Sequence, residues 1–209
     1  MKYIIMCGGT YTQWEAPRKL TLYKGEPLIE RTIRQLIENG VEDIAISTND
    51  DRFEIFGLPI LSHHNPYKTW GYDQVSGYWV DGFYLIDEPC CYIFGDVVFS
   101  DAAIRTIVEK ETEDIEFFAS APPFSPNYPK PWAEPFAFKV QDQKHFQASV
   151  KHTKKLDKLG MFRRHPLAWE LWQVIKGTAL NRIDYTNYVA INDGTCDIDA
   201  PEDVEVIKV

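Results

Sequence analysis

Short apolar runs alternate with helical patterns along the first half of the chain, and this alternation restricts the fold more than any other feature. Residues 2–7, which are apolar after Lys2, are predicted to form a buried strand. The next apolar side chains follow helical spacing, at Leu28, Ile29, Ile33, Leu36 and Ile37, and Asn39-Gly40 supplies a helix stop. Further strands are predicted at 43–47, 58–61, 91–94 and 115–121, and further helices at 73–86 and 100–110. Strands that alternate with helices in this way build a parallel sheet covered by helices.

A proline-rich segment follows this half of the chain. Its prolines are Pro122, Pro123, Pro126, Pro129, Pro131 and Pro135, which exclude a helix and a central strand there. After it, 136–140 and 188–191 alternate like strands, and 141–150 and 165–176 resemble helices. Because 209 residues suffice for one core, we predict a single domain over 1–209. Its fold is a Rossmann-like three-layer α/β sandwich with a mostly parallel central sheet and a small β-containing lid insertion at about 122–140.

Charge and composition argue against several classes of partner. The chain has 22 Lys and Arg against 31 Asp and Glu, a net charge of −9, and no basic run exceeds two residues, so no nucleic-acid partner is expected. The apolar run at the start is too short for a signal peptide or a membrane span. The four cysteines and five histidines show no zinc-ligand spacing. We therefore expect a cytoplasmic protein with reduced thiols and no membrane partner, and homo-oligomer formation stays open.

The segment after the first strand carries the clearest chemical signal. Gly8 and Gly9 follow the first predicted strand, at the edge where open α/β sheets bind ligands. Glycine allows the backbone to approach a ligand closely. Backbone amides there can cradle phosphate oxygens, and Arg18 and Lys19 add positive charge. The alternative to a phosphate-binding loop is a glycine turn with solvated cations. The sequence contains no G-x-x-x-x-G-K-[ST] motif, so a P-loop of that type is excluded.

This opening resembles the nucleotidyltransferase family with the glycosyltransferase-A-like fold, which includes sugar-phosphate nucleotidyltransferases, the molybdenum cofactor guanylyltransferase and bacterial phosphocholine cytidylyltransferases. The family pattern is G-G-x-G-T-R-x-x-x-P-K-x-L, then G-x-P-L-I. This chain keeps Gly8, Gly9, Thr12, Pro17, Leu20, Gly25, Pro27, Leu28 and Ile29. Arg18 stands at the family's lysine, whereas Tyr11 and Gln13 replace a glycine and an arginine. The resemblance implies that an NTP binds against Cys7, Gly8, Gly9, Thr10 and Thr12.

Two further motifs match the family in the expected order. Gly95-Asp96 resembles the strand-ending G-D motif whose aspartate binds Mg²⁺, and residues 197–204 resemble the D-I-D-T-P-E-D-L ending of several members. The resemblance therefore implies that Asp96 and Asp199, with Asp197 as a substitute, hold Mg²⁺ through carboxylate oxygens. Alternatively, Asp96 caps a turn and the other two aspartates are solvated loop charges.

In the family, the acceptor pocket is built from the middle loops and the inserted β region, here 63–76 and 122–138. The candidate acceptor contacts are Asn65, Trp70, Ser76, Trp132 and Glu134. Aromatic rings beside an acid would suit a quaternary ammonium such as choline, or would stack on a sugar, although packing explains any single ring as well. Trp169 and Trp172, three apart on a predicted helix, are assigned to packing.

The resemblance implies a Mg²⁺-dependent displacement, in which a phosphate oxygen of the acceptor attacks the α-phosphorus of an NTP and pyrophosphate leaves. Arg18 and Lys19 would offset charge on the leaving phosphates. We therefore expect an enzyme that joins an NMP, with CTP favoured, to a sugar phosphate or a phosphocholine-like acceptor, as in nucleotide-sugar biosynthesis. Two alternatives stay open: a glycosyltransferase of related fold that uses a nucleotide sugar, and a nucleotide-binding protein without catalysis.

Overall fold

The computed structural model describes residues 1–9, 14, 16–63, 78–126 and 128–209. The strands are β1 (Lys2–Met6), β2 (Leu22–Tyr23), β3 (Glu26–Pro27), β4 (Ile44–Thr48), β5 (Ile60–Ser62), β6 (Cys90–Phe94), β7 (Val97–Val98), β8 (Ile115–Ser120), β9 (Glu134–Val140), β10 (Val189–Ala190) and β11 (Cys196–Asp197). The helices are α1 (Leu28–Glu38), α2 (Asp101–Glu109), α3 (Gln143–Lys158), α4 (Ala168–Lys176) and α5 (Asp203–Val206). Short 3-10 turns cover Arg18–Leu20, Asp51–Phe56 and Trp79–Gly82.

The central sheet contains seven of the described strands, in the order β10-β8-β9-β6-β1-β4-β5. β1 is parallel to β4 and β6, β5 is parallel to β4, and β10 is parallel to β8. Every residue of β4 and β6 is buried, as expected for strands covered on both faces. Helix α1 packs against α2, and α3 packs against α4. The predicted Rossmann-like α/β sandwich with a mostly parallel central sheet is confirmed.

Local sequence signals set the ends of two helices. Leu28, Ile29, Ile33 and Leu36 of α1 are buried, whereas Ile37 is exposed. The chain leaves the helix at Asn39 and Gly40, and the φ of 80° at Gly40 suits glycine. Helix α2 begins after Ser100, whose Oγ accepts a hydrogen bond from the Ala103 N–H at 2.9 Å. Both predicted helices are therefore confirmed to within one or two residues.

The helix predicted at 73–86 is wrong in its described part, because residues 78–86 contain only the 3-10 turn Trp79–Gly82. The rings of Trp79 and Phe83 both pack edge-on against other core rings, each 5.5 Å or less from its neighbour. Gly82 between them disfavours a helix. Tertiary packing of aromatic side chains thus overrides the helical spacing.

The predicted lid region, 122–140, divides into two parts. The described residues before Glu134 form loop, whereas Glu134–Val140 is β9, which runs antiparallel to both β6 and β8 near the middle of the sheet. Pro135 is tolerated because it lies near the start of β9, beside a shift in register opposite Phe118 and Ala119. No helix within the described ranges combines the length and apolar character of a membrane span.

Candidate active site

The described residues form a cavity at the carboxyl ends of β1 and β6. Gly8 and Gly9 follow β1, and Gly95 and Asp96 follow β6, the parallel neighbour of β1. The cavity has a volume of about 280 Å³, and its lining includes Gly8, Gly9, Arg18, Lys19, Asp96, Trp132, Glu134, Asp197 and Asp199. Open α/β sheets bind ligands at this edge. A wider depression of about 1120 Å³ lies at the opposite ends of the strands, against an acidic stretch at 109–116, and contains none of the predicted site residues that the structure describes.

A small two-stranded sheet brings the three predicted metal ligands together. Strand β7 begins directly after Asp96 and pairs with β11 in antiparallel register, with Val97 opposite Asp197. The Ile198 N–H donates to the Asp96 carbonyl oxygen at 2.9 Å. Asp96, Asp197 and Asp199 therefore meet at one side of the cavity, although they are far apart in the sequence.

Arg18 lies between two of these aspartates. Its side chain is buried, and its guanidinium contacts the Asp96 carboxylate. Nη1 donates to the Ile198 carbonyl oxygen at 2.7 Å and to Asp199 Oδ1 at 3.3 Å. Arg18 is thus placed to hold the ends of β6 and β11 together, and its role toward a phosphate stays a prediction.

Lys19 ties the predicted nucleotide loop to the cavity wall. Its Nζ donates to the Gly8 carbonyl oxygen at 2.7 Å, and the side chain is buried. Burial lowers the pKa of Lys19, and the nearby Asp96 carboxylate opposes that shift. Lys19 therefore brings an amino group to the cavity while fixing the position of Gly8.

Lys130 is a site residue that the sequence reasoning missed. Its buried Nζ lies 2.6 Å from Asp197 Oδ1, 3.0 Å from Asp199 Oδ2, 3.2 Å from Glu134 Oε1 and 3.4 Å from Asp203 Oδ2. Burial disfavours the charged amine, but Asp197 and Glu134 outweigh this effect and raise the pKa of Lys130. A single lysine thus links β9 to the segment that begins with β11.

The cluster contains more carboxyl groups than cationic groups. Its cationic members are Arg18, Lys19 and Lys130, and its carboxyl groups are those of Asp96, Glu134, Asp197, Asp199 and Asp203. Burial disfavours charge on Asp96, but Arg18 and Lys19 hold the pKa of that carboxyl below its usual range. Burial and the Glu134 carboxylate raise the pKa of Asp197. Asp197 therefore holds its proton more tightly than an ordinary aspartate, because burial and the neighbouring carboxylate disfavour a further negative charge.

This donor set fits a magnesium ion. Carboxylate oxygens are the protein ligands that Mg²⁺ prefers, and Asp96 and Asp199 supply them from two separate strand ends. The five carboxyl groups of the cluster outnumber its three cations, and a bound divalent ion would add positive charge among them. Asp199 is about half exposed, so its oxygens are accessible from the cavity.

The structure describes only some of the other predicted nucleotide and acceptor contacts. Trp132 is half exposed and lines the cavity, and Glu134 is buried there, where its Oε2 accepts from Tyr128 Oη at 2.8 Å and from the Asp197 N–H at 3.1 Å. Cys7 is not among the described residues that line the cavity, and its N–H donates to the Ser47 carbonyl oxygen at 2.8 Å. The predicted contacts Thr10, Thr12, Asn65, Trp70 and Ser76 lie outside the described residues.

Gly95 is expected to be essential for the packing of this site. A Cβ there would lie 2.7 Å from the Met6 carbonyl oxygen and 3.0 Å from Cys7 Sγ, so the backbone would have to shift. We expect Gly95→Ala to lower the free energy of unfolding by about 1–3 kcal/mol in urea denaturation. Gly8→Ala is the matched control, because a Cβ at Gly8 meets nothing within 4 Å. Equal stabilities of the two variants would contradict the close approach of β1 and β6.

No model of a known protein family and no curated protein matches this chain. Solved structures, however, are similar to this chain over most of its length. An inositol-1-phosphate CTP transferase from T. maritima is 12% identical, with a TM-score of 0.58, and the match covers 99% of this chain and 94% of that chain. A Bacillus anthracis structure assigned as a glucose-1-phosphate thymidylyltransferase is 18% identical, with a TM-score of 0.51, over 94% of this chain and 89% of that chain. The chain therefore has the fold of the sugar-phosphate nucleotidyltransferases.

Proposed function

We propose that this chain is a nucleotidyltransferase that transfers an NMP from an NTP to a phosphorylated small molecule and releases pyrophosphate. One observation carries the proposal. The carboxyl ends of β1 and β6 bring the Gly8-Gly9 loop, Arg18, Lys19 and the aspartates of two separate motifs to a single cavity. The fold shared with two structures described as nucleotidyltransferases supports the same reaction class.

The proposed reaction is an in-line displacement at the α-phosphorus of the NTP. An acceptor phosphate oxygen forms the new P–O bond, and the bond to the β-phosphate breaks, so that pyrophosphate carries away the negative charge. The acceptor phosphate is already ionised, so no general base is required. Gly8 and Gly9 would face the nucleotide, and Arg18 and Lys19, which line the cavity, would offset charge on the phosphates.

We assign the metal ligands of the proposed enzyme to Asp96 and Asp199, with Asp197 as a substitute. All three line the cavity, and carboxylate oxygens are the protein ligands that Mg²⁺ prefers. When bound, Mg²⁺ would lower the cost of bringing NTP phosphates beside these carboxylates. Arg18, which already contacts Asp96 and Asp199, would hold both side chains in place.

CTP is the nucleotide that we propose. The T. maritima structure, which is described as a CTP transferase, is similar over almost the whole chain. Its described acceptor is inositol 1-phosphate, whereas the Bacillus anthracis structure is assigned to glucose 1-phosphate. The acceptor proposed here is thus a small molecule that carries one phosphate, bound near Trp132 and Glu134.

Pyrophosphate release with Mg²⁺ tests the proposal. CTP, UTP, GTP, ATP and dTTP would each be combined with glucose 1-phosphate, inositol 1-phosphate and phosphocholine. We expect release that depends on the acceptor and on one nucleotide. Nucleotide binding in a thermal-shift assay without release from any pair would favour a binding protein. Transfer from a nucleotide sugar without pyrophosphate release would favour a glycosyltransferase.

A further inference from the structure

A second, smaller apolar core anchors the short helix that follows β11. Its buried residues are Tyr23, Leu28, Val98, Cys196, Ile198 and Ile207. Ile207 directly follows α5, and its carbonyl oxygen accepts a hydrogen bond from Tyr23 Oη at 3.1 Å. Helix α5 is therefore held against β2, although no residue within the helix itself is buried.

The first residue of α5 bonds back to the segment that carries Asp199. Asp203 Oδ2 accepts hydrogen bonds from the Asp199 N–H at 2.7 Å and from the Ala200 N–H at 3.1 Å. The Asp203 N–H donates to the Ala200 carbonyl oxygen at 3.1 Å. Side chain and backbone of Asp203 together thus close the turn at 199–202.

This turn places the Asp199 carboxylate at the cavity. Asp199 Oδ1 lies 3.3 Å from Arg18 Nη1, and Oδ2 lies 3.0 Å from Lys130 Nζ. The side chain is about half exposed, so packing does not confine it on all sides. Asp203, by contrast, is not among the described residues that line the cavity. The backbone position of Asp199 therefore depends on a residue that does not itself reach a ligand there.

Two different roles for Asp203 are compatible with its charge. Its carboxylate can fix the turn through the two backbone hydrogen bonds, or it can supply counter-charge to Lys130. Asp203 Oδ2 lies 3.4 Å from Lys130 Nζ, whereas Asp197 Oδ1 is only 2.6 Å from the same amine. The hydrogen bond to the Asp199 N–H is much shorter, at 2.7 Å. The distances therefore favour the first role.

We propose that Asp203 is a positioning residue of the candidate metal site, whose carboxylate holds the turn at 199–202 and thereby sets the position of the Asp199 carboxylate. The inference rests on the proposed function, which assigns Asp199 as a metal ligand. Asp203 touches neither the cation nor the substrates in this account. Mg²⁺ tolerates little departure from octahedral geometry, so a displaced ligand lowers its affinity.

Two substitutions of Asp203 separate position from charge. Asp203→Asn keeps an oxygen in place for the two N–H donors but removes the charge, whereas Asp203→Glu keeps the charge but displaces the oxygens by one methylene. Mn²⁺, which prefers the same oxygen ligands as Mg²⁺, is titrated into the protein, and free Mn²⁺ is measured by electron paramagnetic resonance.

We expect the Kd for Mn²⁺ to rise about tenfold in Asp203→Glu and to stay within about threefold of the wild type in Asp203→Asn. Glu205→Gln is the matched control, because it removes one charge from an exposed position on the same helix, and its Kd should equal that of the wild type. A folded Asp203→Glu protein with the wild-type Kd would overturn the inference. An equal rise in both Asp203 variants would do so too, because charge and not position would then set the affinity.

The thermal midpoint of each variant shows whether the fold persists. Should Asp203→Glu fail to fold, Asp203→Asn decides the question by itself: the wild-type Kd supports a role of position, and a tenfold rise contradicts it.

Binding of Mn²⁺ also separates this inference from the proposed function, because it requires no turnover. Asp199→Asn should raise the Kd at least as much as Asp203→Glu. These changes in Kd without pyrophosphate release from any substrate pair would overturn the proposed function alone. Pyrophosphate release together with the wild-type Kd in Asp203→Glu would overturn the role of Asp203 alone. An absence of Mn²⁺ binding to the wild-type protein would overturn both the assignment of Asp199 and the role of Asp203.

Discussion

Replacing Lys130 by methionine is expected to lower the free energy of unfolding by about 3 kcal/mol. Its amine is buried among four carboxyl groups, and the nearest oxygen, of Asp197, is 2.6 Å away. Methionine fills similar space but leaves Glu134 and Asp197 as buried acids without their cation. Removing one partner of a buried ion pair typically costs about 3–5 kcal/mol. The lower end applies because Asp199 is about half exposed.

Urea denaturation of Lys130→Met and Lys155→Met measures this effect against a matched control. Lys155 is an exposed lysine on α3, and its replacement should change the free energy of unfolding by no more than about 0.5 kcal/mol. Equal stabilities of the two variants would mean that Lys130 does not hold the carboxylate cluster together.

Replacing Asp96 by asparagine is expected to reduce kcat for nucleotidyl transfer by at least about a hundredfold. The carboxylate lies directly after β6, beside Arg18 and Lys19, and its side chain is largely buried. Asparagine keeps the shape and removes the negative charge that a divalent cation would require. Loss of one preorganised electrostatic group in an active site commonly costs about 10²–10³ in rate.

Stability must be followed in the same experiment, because Asp96→Asn also leaves the buried Arg18 with less counter-charge. The thermal midpoint and circular dichroism of each preparation show whether the fold persists. Asp114→Asn is the control, since Asp114 pairs with His145 at the opposite ends of the strands. A folded Asp96→Asn protein with kcat within threefold of the wild type would exclude Asp96 from the metal site.

Sequence signals predict the parts of this fold that neighbouring residues determine. Ser100 caps α2, and Asn39 with Gly40 ends α1, so both helices follow from a few adjacent residues. The apolar runs of β1 and β6 are also local, and the glycines after them point to the edge where the cavity lies. Because Asp96 directly follows a predicted strand, its place at this edge of the sheet is also predictable from local sequence.

The features of the fold and of the candidate site that the sequence does not predict depend on contacts between distant segments. The alternation at 136–140 indicates a strand, but nothing in it reveals that β9 runs antiparallel between β6 and β8. Lys130 meets partners more than sixty residues later in the chain, and its only local signal is a single cation between Pro129 and Pro131. Trp169 and Trp172 have the same spacing signal, and only the structure shows that Trp172 Nε1 donates to the Thr186 carbonyl oxygen.

Bond formation between the acceptor phosphate and the α-phosphorus of an NTP defines the proposed reaction, and ³¹P NMR of a complete reaction tests it most directly. With CTP, Mg²⁺ and inositol 1-phosphate, we predict that the acceptor's phosphate signal is replaced by two coupled diphosphate signals, with an equal amount of pyrophosphate. Replacement of the acceptor by glucose 1-phosphate extends the test to a second polyol phosphate. An unchanged acceptor signal with every nucleotide and both acceptors, from protein that binds nucleotide, would contradict the account.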